Sequence, residues 1–376
     1  MADFILASVA IFLVGAALLH VITIVIVSGR LIRSTRPQAN TKATEGVSLL
    51  RPVCGLDHEL EATLRSSFRL TYEPYEIIFC VASPEDAALP LLRKLIDEYP
   101  DIDAKLLIGD ERISGNPKLN NLVKGWAAAQ YDWIVMTDSN VLLPQDYMET
   151  LLSRWDAQTG LVSSPPVGIG PDGLWGALEC AFLNTYQARW QLVADQLGFG
   201  FAQGKTLFWR RDILESGGGL AALGQDMAED VASTKLVRRA GLKVRVAKRP
   251  FVQPIGRRRL QDVWQRQLRW SRVRRLGFLP IFLPELFSGG AAPLIAALIL
   301  MWQGALPPAC VLAIGLLWYG AEFVFAWLAR WPHAPRDILA WGLRDLMIPA
   351  LWIAGWASND FAWRGNDMTA DEAGDK

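Results

Sequence analysis

The chain reads as an α/β protein, a mostly parallel sheet in a polar middle section held between membrane-spanning segments. Three observations point there. Short apolar runs alternate with helical patterns through the middle, which implies parallel strands joined by crossover helices. Long, strongly apolar stretches crowd the two ends. The runs in the middle stop in carboxylates, amides and a lysine, and the carboxyl ends of strands in an open α/β sheet are where ligands bind.

Composition narrows the class. Among 376 residues, 38 basic and 38 acidic side chains cancel, so no nucleic-acid partner is suggested. A hydrophobic content of 51% with 16 Trp exceeds what a soluble domain needs. Cys54, Cys80, Cys180 and Cys310 lie far apart without CxxC spacing, which supports neither a zinc site nor a disulfide framework. The histidines are His20, His58 and His333. Carboxylates are left to carry the chemistry.

Ile5 to Val27 is an apolar run long enough to cross a bilayer, and Arg30, Arg33 and Arg36 come directly after it. The positive-inside rule then places the segment beyond the run in the cytoplasm and makes the run a retained anchor, not a cleaved signal. The expected division is 1–29 anchor, 30–45 linker, 46–256 sheet domain, 257–285 basic interfacial segment, 286–357 membrane helices and 358–376 polar tail. Val47 to Val53, Glu76 to Val81 and Ala104 to Ile108 read as buried strands, with helices at Leu89 to Tyr99 and Leu119 to Ala129.

The second strand exits into Ser83-Pro-Glu85-Asp86, and the third leads to Asn116-Pro117-Lys118 at a helix start. Backbone N–H groups there, with a lysine beside them, suit an anion; a capped surface helix would look the same. The central strand runs from Asp132 into Asp138-Ser139-Asn140. Asp138 and Asn140 can face one site with the oxygen ligands a hard divalent cation takes, although the triplet also suits a plain turn.

Pro171 to Gly198 reads as one long amphipathic helix whose aromatic stripe is core or an acceptor groove, and Phe201 to Trp209 as a strand. Asp226, Glu229 and Asp230 open a further helix, where they suit the macrodipole, and one of them can be a general base. Arg257 to Arg275 is Arg- and Trp-rich and interfacial in character. Apolar segments come next, near Phe287 to Leu306, Pro308 to Leu328 and Ile338 to Trp356, with Arg330, His333 and Arg336 marking a cytoplasmic loop. Simple alternation leaves the tail outside; Arg344 and Asp345 instead favour a hairpin or interfacial helix that returns it. Glu322 and Arg344 are costly alone in a membrane, so they are expected to pair, and swapping the two charges to restore expression lost in either single variant.

The ordered set Asp86, Asp138, Asp230 and Arg266-x-x-Arg269-Trp270 resembles the signature of processive and lipid-modifying family 2-like glycosyltransferases. Gly46-Val-Ser-Leu-Leu50, Asn116-Pro-Lys-Leu-Asn-Asn-Leu122, Thr137-Asp-Ser139 and Ala228-Glu-Asp230 are similar to the ceramide glucosyltransferases of family 21, over Gly46 to Leu276 and weakly at Trp363-Arg364-Gly365. The resemblance implies a GT-A fold, a UDP-sugar donor, Mg²⁺ or Mn²⁺, a lipid acceptor such as ceramide, and inversion at the anomeric carbon. It implies that Asp86 meets the uridine, Lys118 the diphosphate, Asp138 the cation or the donor, and that Asp230 is the base. Arg266, Arg269 and Trp270 would hold the diphosphate, Trp270 also shaping the acceptor mouth. Gln187 stands where the family has a histidine, which leaves ceramide itself less certain as acceptor than lipid glycosylation. Diacylglycerol or a hopanoid, a processive polysaccharide synthase, and an inactive scaffold remain competing readings.

Overall fold

The computed structural model describes residues 1–34, 45–226, 228–358, 361–363 and 366–368. Most of the expected linker, Arg364, Gly365 and the end of the tail lie outside them. The chain divides into two compact units.

The sheet unit takes in the described residues of 36–167, 194–254 and 360–376. The strands of the chain, in order, are β1 Val47–Val53, β2 Tyr75–Val81, β3 Ala104–Ile108, β4 Trp133–Thr137, β5 Thr159–Ser163, β6 Pro166–Asp172, β7 Thr206–Arg210, β8 Lys243–Val246 and β9 Phe251–Arg257. Seven of them form one sheet in the order β3-β2-β1-β4-β7-β5-β8, while β6 pairs with β9. β1 to β4 are mutually parallel, β7 runs antiparallel to both β4 and β5, and β5 is parallel to β8. The result is the mixed, mostly parallel sheet expected of a GT-A fold.

Both faces of the sheet are covered, which is why its central strands are apolar at nearly every position instead of alternating. Leu49, Ile77, Phe79, Val135 and Phe208 pack into a core on one face. Leu50, Ile78, Met136, Leu207 and Trp209 pack into a core on the other.

The strands expected at Val47 to Val53 and Ala104 to Ile108 have those bounds. Two expectations need correction. The ladder of the strand expected from Phe201 starts only at Thr206, because the preceding backbone serves other partners: Ala202 N–H donates to Thr234 Oγ1 and Gln203 N–H to Ser163 Oγ, both at 2.9 Å. The single helix expected over Pro171 to Gly198 is broken into Gly173–Ala181, a π-helical turn Phe182–Ala188 and Arg189–Gln196. In that wider turn Asn184 bonds both backbone groups of Gly168, at 2.7 and 2.9 Å. Such tertiary demands are what π-turns accommodate, and periodicity does not encode them.

The other unit takes in the described residues of 1–35, 168–193 and 255–359. Three of the described helices are long and apolar enough to cross a membrane: Asp3–Ser34, Pro308–Ala329 and Pro335–Gly355. The span expected over Phe287 to Leu306 is instead a bent pair, Leu279–Phe287 and Ala291–Trp302, meeting at 44°. The break falls at Gly289-Gly290, where a Cβ would come within 2.9 and 2.7 Å of the Asp345 carboxylate oxygens. Only a bare backbone fits there.

Glu322 and Arg344 do meet. The guanidinium reaches both Glu322 oxygens at 3.0 and 3.2 Å and is fully buried. It also binds Asp345 at 2.7 Å and donates to Thr185 Oγ1 at 2.7 Å. The expected pair is thus one edge of a larger network.

Candidate functional site

Asp138 is the first residue beyond β4. The loop that carries it is fixed from beneath by Arg51, whose guanidinium donates to the carbonyls of Ser139 and Val141 at 2.9 and 3.1 Å. Burial pulls the Arg51 pKa down to about 10, which still leaves it charged at neutral pH.

Lys118 comes from the helix Pro117–Ala128. Asn116 caps that helix by accepting the Lys118 N–H at 2.9 Å, and Pro117 occupies the first-turn position where a missing N–H costs nothing. The Lys118 ammonium lies 2.7 Å from Asp138 Oδ1, 2.8 Å from Glu229 Oε1 and 2.5 Å from the Gly204 carbonyl. Glu229 is held on its other oxygen by Asn116 Nδ2 at 3.0 Å. Burial alone would lower the lysine's pKa, but Asp138 and Glu229 outweigh it and raise it well above the usual lysine range.

Asp230 sits next to Glu229 in the first turn of the helix Glu229–Arg239. It accepts N–H bonds from Gly204 at 3.1 Å and from Val231 at 2.8 Å. Burial, then the neighbouring Glu229 carboxylate, raise its pKa to about 7 against those bonds and Lys118. Asp138 goes the other way: burial opposes ionisation, yet Lys118 and Lys205 hold its carboxyl well below the usual range. Two nearby carboxyls therefore have opposite proton affinities, the arrangement that divides roles between a base and a permanently charged group. Asp226, the third acid of the sequence cluster, is taken up by Lys235 at 2.5 Å.

Lys205 precedes β7. Its ammonium lies 3.0 Å from Asp138 Oδ2 and 2.8 Å from Asn140 Oδ1. Asp86 lies at the exit of β2, its carboxylate accepting the Gly55 N–H at 2.9 and 3.1 Å and the Ala88 N–H at 2.8 Å.

Lys118, Asp138, Asn140 and Asp230 are therefore brought together through direct contacts or one shared partner, and Asp86 is not joined to them by any of these bonds. Arg266, Arg269, Trp270 and Gln187 belong to the membrane unit. There Arg266 pairs with buried Glu179 at 2.6 Å, Gln187 donates to Gln267 Oε1 at 2.9 Å, and Trp270 packs on Cys180, Leu183 and Ile255. Reading by residue type missed Arg51, Gly204, Lys205 and the role of Glu229. The Gln203-Gly204-Lys205-Thr206 break between apolar residues was the signal available.

A divalent cation fits the donor set. Asp138 Oδ2 and Asn140 Oδ1 converge, since one ammonium touches both, and both are hard oxygens. Among the described residues no group of three or more His, Cys, Asp or Glu is placed to hold a metal. A cation here would be completed by oxygens from a phosphorylated ligand and water, as is usual for Mg²⁺.

A mannosyltransferase from Pyrobaculum calidifontis, solved in complex with GDP-Man and Mn²⁺, superposes with a TM-score of 0.55 at 17% identity over 92% of this chain and 99% of its own, a likeness of fold. Ceramide glucosyltransferase 3 of Caenorhabditis elegans is 25% identical over 334 residues, 85% of this chain and 72% of that protein. Ceramide glucosyltransferase 1 of the same organism is 29% identical over 231 residues, 61% of this chain and half (50%) of the relative. The family model described as glycosyl transferase family 21 matches residues 13–375. A match of that length takes in both units, and the chain belongs to glycosyl transferase family 21.

Proposed function

We propose that this glycosyltransferase moves one hexose, glucose from UDP-glucose, to the primary hydroxyl of ceramide, with inversion at the anomeric carbon and its sheet unit in the cytoplasm. The observation that carries the reading is Asp230, a carboxyl raised to about 7 and oriented by the Gly204 and Val231 N–H groups beside the Lys118–Asp138 pair.

The chemistry asks for two things from these residues. The lipid hydroxyl must lose its proton as it attacks, and Asp230 accepts it; a base near neutral pKa is best matched to that transfer. The leaving nucleoside diphosphate gains negative charge, and Lys118 offers it a positive charge already fixed in place by Asp138, Glu229 and the Gly204 carbonyl. Arg266 and Arg269 would add positive charge, Trp270 and Gln187 would line the acceptor's path, and Asp86 would receive the uridine. A Mg²⁺ or Mn²⁺ held by Asp138 and Asn140 would supply Lewis-acid stabilisation of the diphosphate. Names and folds of relatives support the donor and acceptor classes; Gln187 keeps diacylglycerol and hopanoids in view as acceptors.

The test is a mass-spectrometric assay of detergent-purified protein with UDP-glucose and Mg²⁺ or Mn²⁺, offering short-chain ceramide, diacylglycerol, a hopanoid or no lipid. A monohexosyl ceramide that disappears with Asp230→Asn is expected. Polymer formation, or UDP-glucose left intact with every lipid, sinks the reading.

A further inference from the structure

The two oxygens best placed for a divalent cation are bridged by a side chain of the protein itself. Antiparallel pairing of β4 with β7 sets Thr137 opposite Thr206, so the next residues out, Asp138 and Lys205, also face each other. The Asp138 N–H donates to the Lys205 carbonyl at 3.1 Å, which extends the ladder to this pair. From there the ammonium reaches Asp138 Oδ2 and Asn140 Oδ1 at 3.0 and 2.8 Å. A cation bound to the same oxygens would take the ammonium's place between them. Two positive groups cannot share that point. Either the ammonium leaves or the metal stays out.

We propose that Lys205 is an internal cation, holding the divalent ion's place between Asp138 and Asn140 until the donor arrives, and that the ion enters only by displacing it. The proposal rests on the metal reading above. Three features make the lysine suited to this. Its ammonium has N–H groups enough for both oxygens, and its flexible four-carbon stem lets the charge move without moving β7. Asp138 loses nothing in the exchange, because Lys118 stays on its other oxygen. The displaced ammonium then lies beside the space the diphosphate fills and adds one positive charge to it. Free metal without nucleotide meets a competitor, whereas metal arriving with a nucleoside diphosphate brings a new partner for the lysine. The device couples metal binding to donor binding.

A cross-strand ion pair whose oxygens never take a metal predicts something else. In that case removing Lys205 weakens the strand junction and leaves metal affinity where it was. The distinguishing experiment is an electron paramagnetic resonance titration of Mn²⁺ on the detergent-purified full chain, with and without UDP, for wild type, Lys205→Met, Lys205→Gln, Lys205→Arg and Lys205→Met/Asp138→Asn. Without nucleotide, Lys205→Met or its polar equivalent Lys205→Gln is expected to bind Mn²⁺ about 5- to 150-fold tighter than wild type, the range of ordinary coupling between ligands. Lys205→Arg keeps the competing charge and should stay weak, and adding Asp138→Asn should abolish the gain. With UDP present the gap between wild type and Lys205→Met should narrow. Equal Mn²⁺ affinity of wild type and both neutral variants without nucleotide, including no binding by any, overturns the proposal while UDP-dependent binding to wild type leaves the metal reading standing. No Mn²⁺ binding by any protein even with UDP overturns both. The hexosyl-transfer assay is separate and reports on the sugar and lipid alone.

Discussion

Asp230 and Gly204 show how closely single atoms are placed. As the proposed base, Asp230 would act only when ionised, and its pKa is raised to about 7. The protonated fraction grows as pH falls, so kcat/KM should drop on the acid side with a midpoint near 7, in a pH profile of the purified enzyme. Asp230→Asn removes the proposed proton acceptor and should lower kcat by about 10² to 10⁴ while UDP binding, followed calorimetrically, persists. Gly204 has no room for a side chain: a Cβ there would lie 2.6 Å from Glu229 Oε1. Gly204→Ala therefore pushes Glu229 off Lys118, and misplacement of this kind costs up to about 10²-fold in rate. A Gly204→Ala enzyme of normal activity would show that the Glu229–Lys118 contact is dispensable. The carboxylates were legible in the sequence because chemistry selects their type. Gly204 was not, because its importance comes from Glu229 and Lys118, which are remote along the chain.

Between elements, the same lesson holds for loops and helix pairs. Arg51 lies on β1 yet secures the loop after β4 through two carbonyls. Arg51→Met would leave those carbonyls buried and unpaired at about 1–3 kcal/mol each, and a clearly lower Tm is expected by circular dichroism. Between the apolar helices, Arg344 is flanked by two carboxylates, Glu322 and Asp345. Arg344→Met strands both acids and should cost about 3–5 kcal/mol, read as lost expression and thermal stability. Glu322→Gln should cost less, since Asp345 still neutralises the guanidinium. Swapping Glu322 and Arg344 should not rescue expression, contrary to the simple two-residue expectation, because a glutamate at 344 would face Asp345. Recovery by the swap would refute the three-member arrangement. The pairing was legible from the cost of intramembrane charge; its third member was not, since adjacent residues on a helix diverge by about 100° and Asp345 need not turn to the Arg344 guanidinium.

At the scale of the molecule, the described hairpin Phe361–Trp363 with Asn366–Met368 belongs to the sheet unit. Under the proposed topology, the positive-inside rule makes the loop with Arg330, His333 and Arg336 cytoplasmic, and with it the start of the helix Pro335–Gly355. Arg344 and Asp345, buried along it, weaken it as a simple span, and the proposed topology has it turn back so that the tail returns to the cytoplasm. A C-terminal fluorescent-protein fusion should therefore fluoresce and a phosphatase fusion stay inactive; the reverse pattern would make the helix a full span and put the tail outside.

By itself the sequence determined the α/β class, the mostly parallel sheet, the apolar amino-terminal run and the residue types of the candidate site, because each is written in local periodicity, length or chemical necessity. Only the tertiary structure decided which groups share a proton, a charge or a carbonyl. Lys205 against Asp138, Glu229 on Lys118, Gly204 between them and Asp345 on Arg344 come from strand register and helix packing. Those arise from burying whole faces at once, and no local stretch of chain carries that information.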